Sequence, residues 1–414
     1  MSYTRDELNF FGCNKEEIDS VCAQLGLRKS SAVADGALVR EAFGSYGRAV
    51  IELATARSST TGKLPQQWWM CHDSAQQATP LAVAYQRALR IGKLLGAGEA
   101  PAVAGSGGVG LVYDATCSIG TEGYALQAAG VGYVGGDLDD SRLRMARHNL
   151  GDDARLVRAD AVNPAITDAA VVVADPGRRA GGRRIIKPED LIPPLPAVIE
   201  TWGRSAELAI KCAPGLDFSA WEGLVSVASV DGGVKEACLY SEGLSAGRRR
   251  EAIMLKAHAH GEVVPGLSQR YACDRVDDSM PDDAGVGEVG TYILDPDGAV
   301  VRAGLVRHYA CREGLWMLDE HIAYLTGDHL PEGTSGFRFI EMVPVKKLKQ
   351  ALRAHDAGSV EILVRGVDVD PDQLRKKLSL KGKAQLAVVI ARIGSQAQAY
   401  ICHKREFATA RQGY

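Results

Sequence analysis

The chain has 414 residues, 46% hydrophobic and 24% charged, with a formal net charge of -3. That excludes a disordered or strongly basic protein and leaves room for two or three domains, each with its own core. The balance is uneven: residues 337–414 hold 15 Lys and Arg against 7 Asp and Glu, a local +8, so the remainder stands at -11. A basic C-terminal piece on a mildly acidic body fits a polyanionic partner, and a solvated basic face is the alternative.

The N-terminal sequence MSYTRDELNFFG lacks a charged leader with an apolar core, and no apolar run reaches the ~20 residues of a membrane span. The nine cysteines are scattered, with no Cys-x-x-Cys pair and no metal-like Cys/His spacing. A cytoplasmic protein with reduced thiols, no metal and no membrane contact is the expectation.

Residues 1–103 read as a helical region. Leu8, Phe11, Ile18, Val21, Cys22 and Leu25 recur at helical spacing, a periodic run follows from Val33 to Leu53, and another helix spans Pro80 to Leu95. Between them, Trp68 and Trp69 are read as packing groups, with aromatic capture of a base as the other reading. Gly105 to Gly110 matches the dinucleotide fingerprint in form but precedes a strand instead of following one, so it is not expected to bind a pyrophosphate.

Residues 104–257 have the pattern of a doubly wound α/β sheet. The stretch VYDATCSIGTEGYALQAAGVGYVGGDLD reads as a strand ending at Asp114, a tight turn, a helix from about Thr121, and a second strand ending in Asp137 and Asp139. The small residues Thr116 to Gly120 let backbone approach a ligand, and the helix start offers free N–H groups to an anion. With one glycine the turn would crowd a diphosphate, so a carboxylate is favoured. Asp137 lies 23 residues after Asp114, close to the spacing at which an acid takes ribose hydroxyls. Asp160 stands beyond a third short strand, Leu156 to Arg158, and Asp175 ends a fourth, Val171 to Ala174. Carboxylates are seldom placed at successive strand ends for packing.

These residues, Asp-x-Thr-Cys-x-x-Gly-Thr, Gly-x-Asp-x-Asp, Asp-Ala and Asp-Pro in that order, resemble the class I S-adenosylmethionine-dependent methyltransferases, above all their RNA-modifying branches. The run Asp175-Pro-Gly-Arg-Arg179 and its flanks are similar to bacterial methyltransferase-like proteins with a THUMP-like C-terminal domain. The resemblance covers the chain from about Lys63 onward. It implies that Asp114, Thr116 and Gly120 shape the methionine end of the cofactor, that Asp137 takes the ribose hydroxyls with Leu138 against adenine, and that Asp160 receives the adenine amino group. Gln77 and Thr79 correspond to an upstream cofactor-contacting segment.

Asp175 is the candidate for orienting the acceptor or taking its proton. Amino-group methyltransferases carry Pro and an aromatic after this position; here stand Gly177 and Arg178. Arg178, Arg179, Arg183, Arg184 and Lys187 suit phosphate contact, and a solvated loop is the alternative. Cys212 ends the fifth strand, Glu207 to Lys211, with structural packing as its default role; the second reading is a thiolate nucleophile as in pyrimidine C5 methyltransferases. Strands Val234 to Tyr240 and Ala252 to Lys256 complete the sheet.

Residues 258–414 read as a separate α+β, THUMP-like module: an acidic loop from Asp274 to Gly287, a strand Gly290 to Leu294, a helix Glu313 to Leu325, and a strand Phe337 to Val343. A basic helix Val345 to His355, a strand Val360 to Arg365, a helix Pro371 to Leu378 and strands Leu386 to Ile393 and Gln398 to His403 follow. Lys346, Lys347, Lys349, Arg375, Lys376, Lys377, Lys381 and Lys383 could engage RNA phosphates. The expected function is methyl transfer to structured RNA, tRNA or rRNA. A small-molecule or protein acceptor, or a non-catalytic RNA-binding protein on this scaffold, are the alternatives.

Overall fold

The computed structural model describes residues 3–97, 110–177, 179–180, 183–184 and 187–408. The glycine-rich Gly105 to Gly110 match and Arg178 therefore fall largely or wholly outside the described residues.

Six helices open the chain: α1 (Arg5–Cys13), α2 (Lys15–Cys22), α3 (Ala32–Phe43), α4 (Gly47–Ser59), α5 (His72–Gln77) and α6 (Leu81–Leu94). α1 starts on a capping box in which Thr4 and Glu7 satisfy each other's backbone N–H. The single run read from Val33 to Leu53 is two helices. Gly44, at φ +54°, turns the chain between them in a conformation that side chains with a Cβ rarely adopt.

Next come β1 (Leu111–Asp114), α7 (Thr121–Ala128), β2 (Tyr133–Asp137), α8 (Asp140–Leu150), β3 (Leu156–Arg158) and β4 (Ala169–Ala174). A small hairpin, β5 (Arg179–Ala180) and β6 (Arg183–Arg184), precedes α9 (Leu195–Trp202), β7 (Glu207–Cys212), β8 (Leu224–Val230) and β9 (Gly233–Tyr240). α10 (Glu242–Ser245), β10 (Arg250–Val263) and β11 (Arg270–Asp277) close this part.

The nine-stranded sheet has the order β11-β10-β8-β9-β7-β4-β1-β2-β3. Strands β3, β2, β1, β4 and β7 are parallel neighbours, and β9 runs antiparallel to both β7 and β8. Successive residues feed opposite faces: Val112, Val171, Val173 and Ala209 enter a core shared with the N-terminal helices, while Tyr113, Val172, Ala174, Leu208 and Ile210 pack with Trp202 of α9. Burial on both faces explains why the central strands read as continuous apolar runs. The strand order reverses at β1, so the crevice beyond the carboxyl ends of β1 and β4 is where such a sheet receives a ligand.

In the remaining segment lie β12 (Tyr292–Leu294), α11 (Gly298–Ala303), α12 (Val306–Glu313), β13 (Trp316–Asp319), β14 (Ile322–Gly327) and β15 (Ser335–Pro344). They are followed by α13 (Leu348–Ala354), β16 (Ala357–Arg365), α14 (Pro371–Leu378), β17 (Ala384–Ile393), β18 (Gln396–His403) and β19 (Glu406–Phe407). Its sheet runs β13-β14-β12-β15-β18-β17-β16, with β19 beside β15. Leu348, Leu352 and Leu378 of α13 and α14 cover one face of β16, β17 and β18.

Contacts group residues 1–249 with 253–275 into one compact unit and 250–252 with 276–414 into another. Position 257, read as the end of the first sheet, falls inside the 14-residue β10. Two sequence expectations are corrected. Glu313 to Leu325 is no helix: the apolar residues Leu315, Leu318, Ile322 and Leu325 mimic helical spacing, yet β13 and β14 pair antiparallel around the Glu320-His321 turn. The acidic stretch from Asp274 is strand until Asp277. β8 leaves little trace in the sequence because Ser226, Ala228 and Ser229 dilute its apolar signal.

Candidate functional site

The turn after β1 is held by its own side chains. Asp114 Oδ1 accepts the Thr116 N–H at 3.2 Å, and the Thr116 hydroxyl oxygen accepts the Asp175 N–H at 2.7 Å, so one threonine ties the ends of β1 and β4 together. Asp137 accepts the Ser118 N–H on one oxygen and the Asp139 N–H on the other, both at 2.9 Å. Ser118 and Gly120 take left-handed backbone at φ +49° and +89°. At Gly120 a Cβ would stand 2.9 Å from Leu150 Cγ, so the glycine is required by both conformation and space. Asp139 caps α8, accepting from Ser141 and Arg142.

Leu138 is 60% exposed beside Asp137, an apolar side chain left open next to an acid. Asp160 is half-buried and takes the Val162 N–H at 3.0 Å.

Behind the turn lies a buried network of charges that the sequence reading did not include. Arg87 of α6, 2% exposed, donates to both carboxylate oxygens of Glu122 at 3.0 and 3.1 Å and to Glu236 of β9 at 2.5 Å. Lys211 of β7 lies 2.9 Å from Asp175 and 3.3 Å from Glu122. Burial alone would raise the Glu122 carboxyl, but the Arg87 and Lys211 charges overcome it and hold the group down to about 2. Asp114 has less help, with no ion pair of its own among the described residues. The residue is 2% exposed and Oδ2 has no partner among the described residues; burial, with the Glu122 charge added and that of Lys211 opposing, pushes the carboxyl up to about 8.

The upstream segment joins this network. The Thr79 hydroxyl donates to Glu236 at 2.8 Å, whereas Gln77, the last residue of α5, is exposed. Lys63 donates to the Ala75 carbonyl at 2.7 Å, fixing the end of α5, and burial together with the Lys235 and Lys211 charges draws its ammonium down to about 8.

Asn149 of α8 accepts the Trp69 N–H at 2.8 Å and donates to the Trp69 and Ile119 carbonyls at 3.0 and 2.9 Å. One buried amide thereby fastens the helical lobe to the turn after β1. Asn149→Ala leaves three backbone groups without partners, and denaturant melts should show a loss of about 2–3 kcal/mol.

The structure thus brings Asp114, Thr116, Gly120, Asp137, Thr79 and Asp175 into one connected region, with Leu138 and Asp160 at its edge. Cys212 is 1% exposed in the core beneath β7, enclosed instead of open to an acceptor. Trp68 and Trp69 are 1% and 8% exposed; Trp69 stacks on His148 at 3.9 Å and meets Phe11 edge-on, so base capture by the pair is overturned. Glu122, Arg87, Lys211, Glu236 and Asn149 are the residues sequence reasoning missed. A lysine inside the apolar strand ELAIKC was the one available signal, since its partners come from distant elements.

Among the described residues no group of three or more His, Cys, Asp or Glu is placed to hold a metal ion, and no helix is long and apolar enough to cross a membrane. Residues 334–404 match the family described as THUMP domain-like. The chain is 44% identical over 387 residues to a protein named as an uncharacterized S-adenosylmethionine-dependent methyltransferase in two strains of Mycobacterium tuberculosis, covering 88% of this chain and 99% of the relative. A crystal structure of a candidate methyltransferase from Porphyromonas gingivalis W83 superposes with a TM-score of 0.64 at 17% identity, covering 95% of this chain and 99% of that one, a likeness of fold. With the acid-bearing strand ends of a doubly wound sheet and a 44% identical relative matched over nearly its whole length, the chain belongs to the S-adenosylmethionine-dependent methyltransferases.

Proposed function

We propose that this methyltransferase acts on structured RNA, tRNA or rRNA. The observation that carries the reading is a gathered basic surface on the THUMP-like domain. Lys349 of α13 donates to the Lys377 carbonyl at the end of α14 at 2.9 Å, which brings the Lys346–Lys349 and Arg375–Lys377 segments together. Lys346, Lys347, Lys376 and Lys377 are exposed, in a stretch of chain with a local excess of positive charge. Several phosphates can be engaged there at once. Arg178 and the side chains of Arg179, Arg183 and Arg184 lie outside the described residues; with Lys187 they are further candidates for phosphate contact on their charge alone.

S-adenosylmethionine supplies an electrophilic methyl group on a sulfonium. The residues present fit that cofactor: the unpartnered Asp114 Oδ2 is an acceptor awaiting a cationic donor, Asp137 presents a carboxylate for the ribose hydroxyls, and exposed Leu138 offers an apolar surface for adenine. Thr116 and Gly120 shape the methionine end, and Asp160 receives the adenine amino group. Thr79 acts through Glu236, and exposed Gln77 is the outer contact of the upstream segment.

Asp175, 2.9 Å from the Lys211 ammonium, orients the acceptor by accepting its hydrogen bond. With Cys212 enclosed, transfer proceeds directly from cofactor to acceptor without a thiolate adduct. The test is transfer of labelled methyl from S-adenosylmethionine to RNA from a deletion strain, with RNA binding measured at low and high salt. Labelled RNA is expected, and Lys376→Ala with Lys377→Ala should lower the slope of log affinity against log salt by about one to two. Unlabelled RNA together with no RNA affinity at low salt would overturn the proposal.

A further inference from the structure

The buried charges of the site do not balance, and the deficit falls on Asp114. Among the described residues two cations, Arg87 and Lys211, face Glu122, Glu236 and Asp175. Arg87 Nε and Nη2 meet Glu122 and Glu236, and the Lys211 ammonium meets Asp175 and Glu122. Among the described residues Asp114 accepts the Thr116 N–H on Oδ1, and its buried Oδ2 has no hydrogen-bond partner.

The other titratable groups against Asp114 bring no positive charge. Tyr113 on its own strand, Cys117 in the turn and Tyr133 on β2 are kept neutral by burial, and Glu122 on α7 and Asp137 on β2 add negative charge. A carboxylate in that position without a cation is a costly species, and the cheaper alternative is the neutral acid.

We propose that Asp114 selects the methionine ammonium of the cofactor by exchanging a proton for it: it is a neutral acid in the free protein and a carboxylate in the complex. The proposal rests on the placement of the methionine end at Asp114 given above. The balance is simple. The carboxyl O–H bond breaks, the proton leaves to solvent, and the ammonium, which keeps its own protons, supplies the third cation of the network.

Two consequences follow in pH. The Asp114 carboxyl, raised to about 8 in the fold against about 3.9 in an unfolded chain, stabilises the free protein at acid pH, and that contribution is lost as pH rises from about 4 to 8. Cofactor affinity moves the other way, rising about tenfold per pH unit between about pH 5 and 7, then levelling where the ligand's own α-amino group begins to deprotonate.

Calorimetric titration at about pH 6, in a pair of buffers with different ionisation enthalpies, counts the protons. S-adenosylmethionine should release close to one proton per molecule bound. 5′-Methylthioadenosine, which shares the nucleoside but lacks the amino-acid end, should release none. Asp114→Asn, an isostere of the neutral acid, should release none with either. Heat independent of buffer for S-adenosylmethionine bound to the wild-type protein, or equal release with both ligands, would overturn the proposal. A wild-type protein that binds neither nucleoside would instead remove the cofactor placement on which it rests.

Discussion

Arg87→Met should destabilise the protein by about 3–5 kcal/mol, measured by urea unfolding at neutral pH, the cost of removing one partner from a buried ion cluster. The arginine is 2% exposed and its donors meet Glu122 and Glu236. Without it, Glu236 keeps only the Thr79 hydroxyl among these partners, and Glu122 only the Lys211 ammonium. Methionine fills much of the volume, so the loss reports charge more than cavity.

The pH dependence gives a second reading of the same variant. In the wild type Glu122, held down to about 2, contributes stability that is present above the unfolded value near 4.3 and is lost as pH falls toward 2. In the variant Glu122, without the Arg87 charge that holds it down, protonates more readily, so the gap between the two proteins should narrow as pH drops from about 7 to 4. Adding Glu236→Gln should recover part of the loss. A variant that melts within about 0.5 kcal/mol of the wild type would show that the network carries no stability.

Much of the architecture is readable from the sequence because the central strands are short apolar runs that end in acids. Val171 to Ala174 and Glu207 to Cys212 are buried on both faces, and such runs leave a strong local signature. The acids Asp114, Asp137 and Asp175 are visible for the same reason, since each terminates its strand or follows it directly. β13 and β14 are not, because Leu315, Leu318, Ile322 and Leu325 satisfy a helical period by coincidence, and only pairing between Met317 and Leu325 decides the matter. Nor is the charge network: Arg87 and Glu236 are 149 residues apart, and a buried arginine cannot be told from an exposed one by its neighbours on the chain. Asn149 is hidden likewise, at the end of an otherwise polar helix, with its partner 80 residues away. Local pattern reveals what a strand end offers to a ligand, and tertiary contact decides which charges stand behind it.

Asp137→Ala should lower S-adenosylmethionine affinity by about 100-fold or more, read by calorimetry at low salt. On the proposed cofactor placement, two charge-assisted hydrogen bonds to the ribose diol, at about 1.5–3 kcal/mol each, are lost together. The carboxylate also positions the turn. It accepts the Ser118 N–H, and Ser118 holds left-handed backbone at φ +49°, a conformation a side chain adopts only when its surroundings impose it. With alanine the turn loses that anchor and the Asp139 N–H loses its acceptor, so the turn after β1 loosens as well. Asp137→Asn keeps one acceptor oxygen and the side-chain shape, and should fall between, at about tenfold weaker. The order wild type, Asn, Ala separates hydrogen bonding to the ligand from collapse of the fold, provided far-ultraviolet circular dichroism stays unchanged across the three. An alanine variant that binds within about threefold of the wild type would place the cofactor away from β2 and remove the assignment of Asp137, Leu138 and Asp160 together.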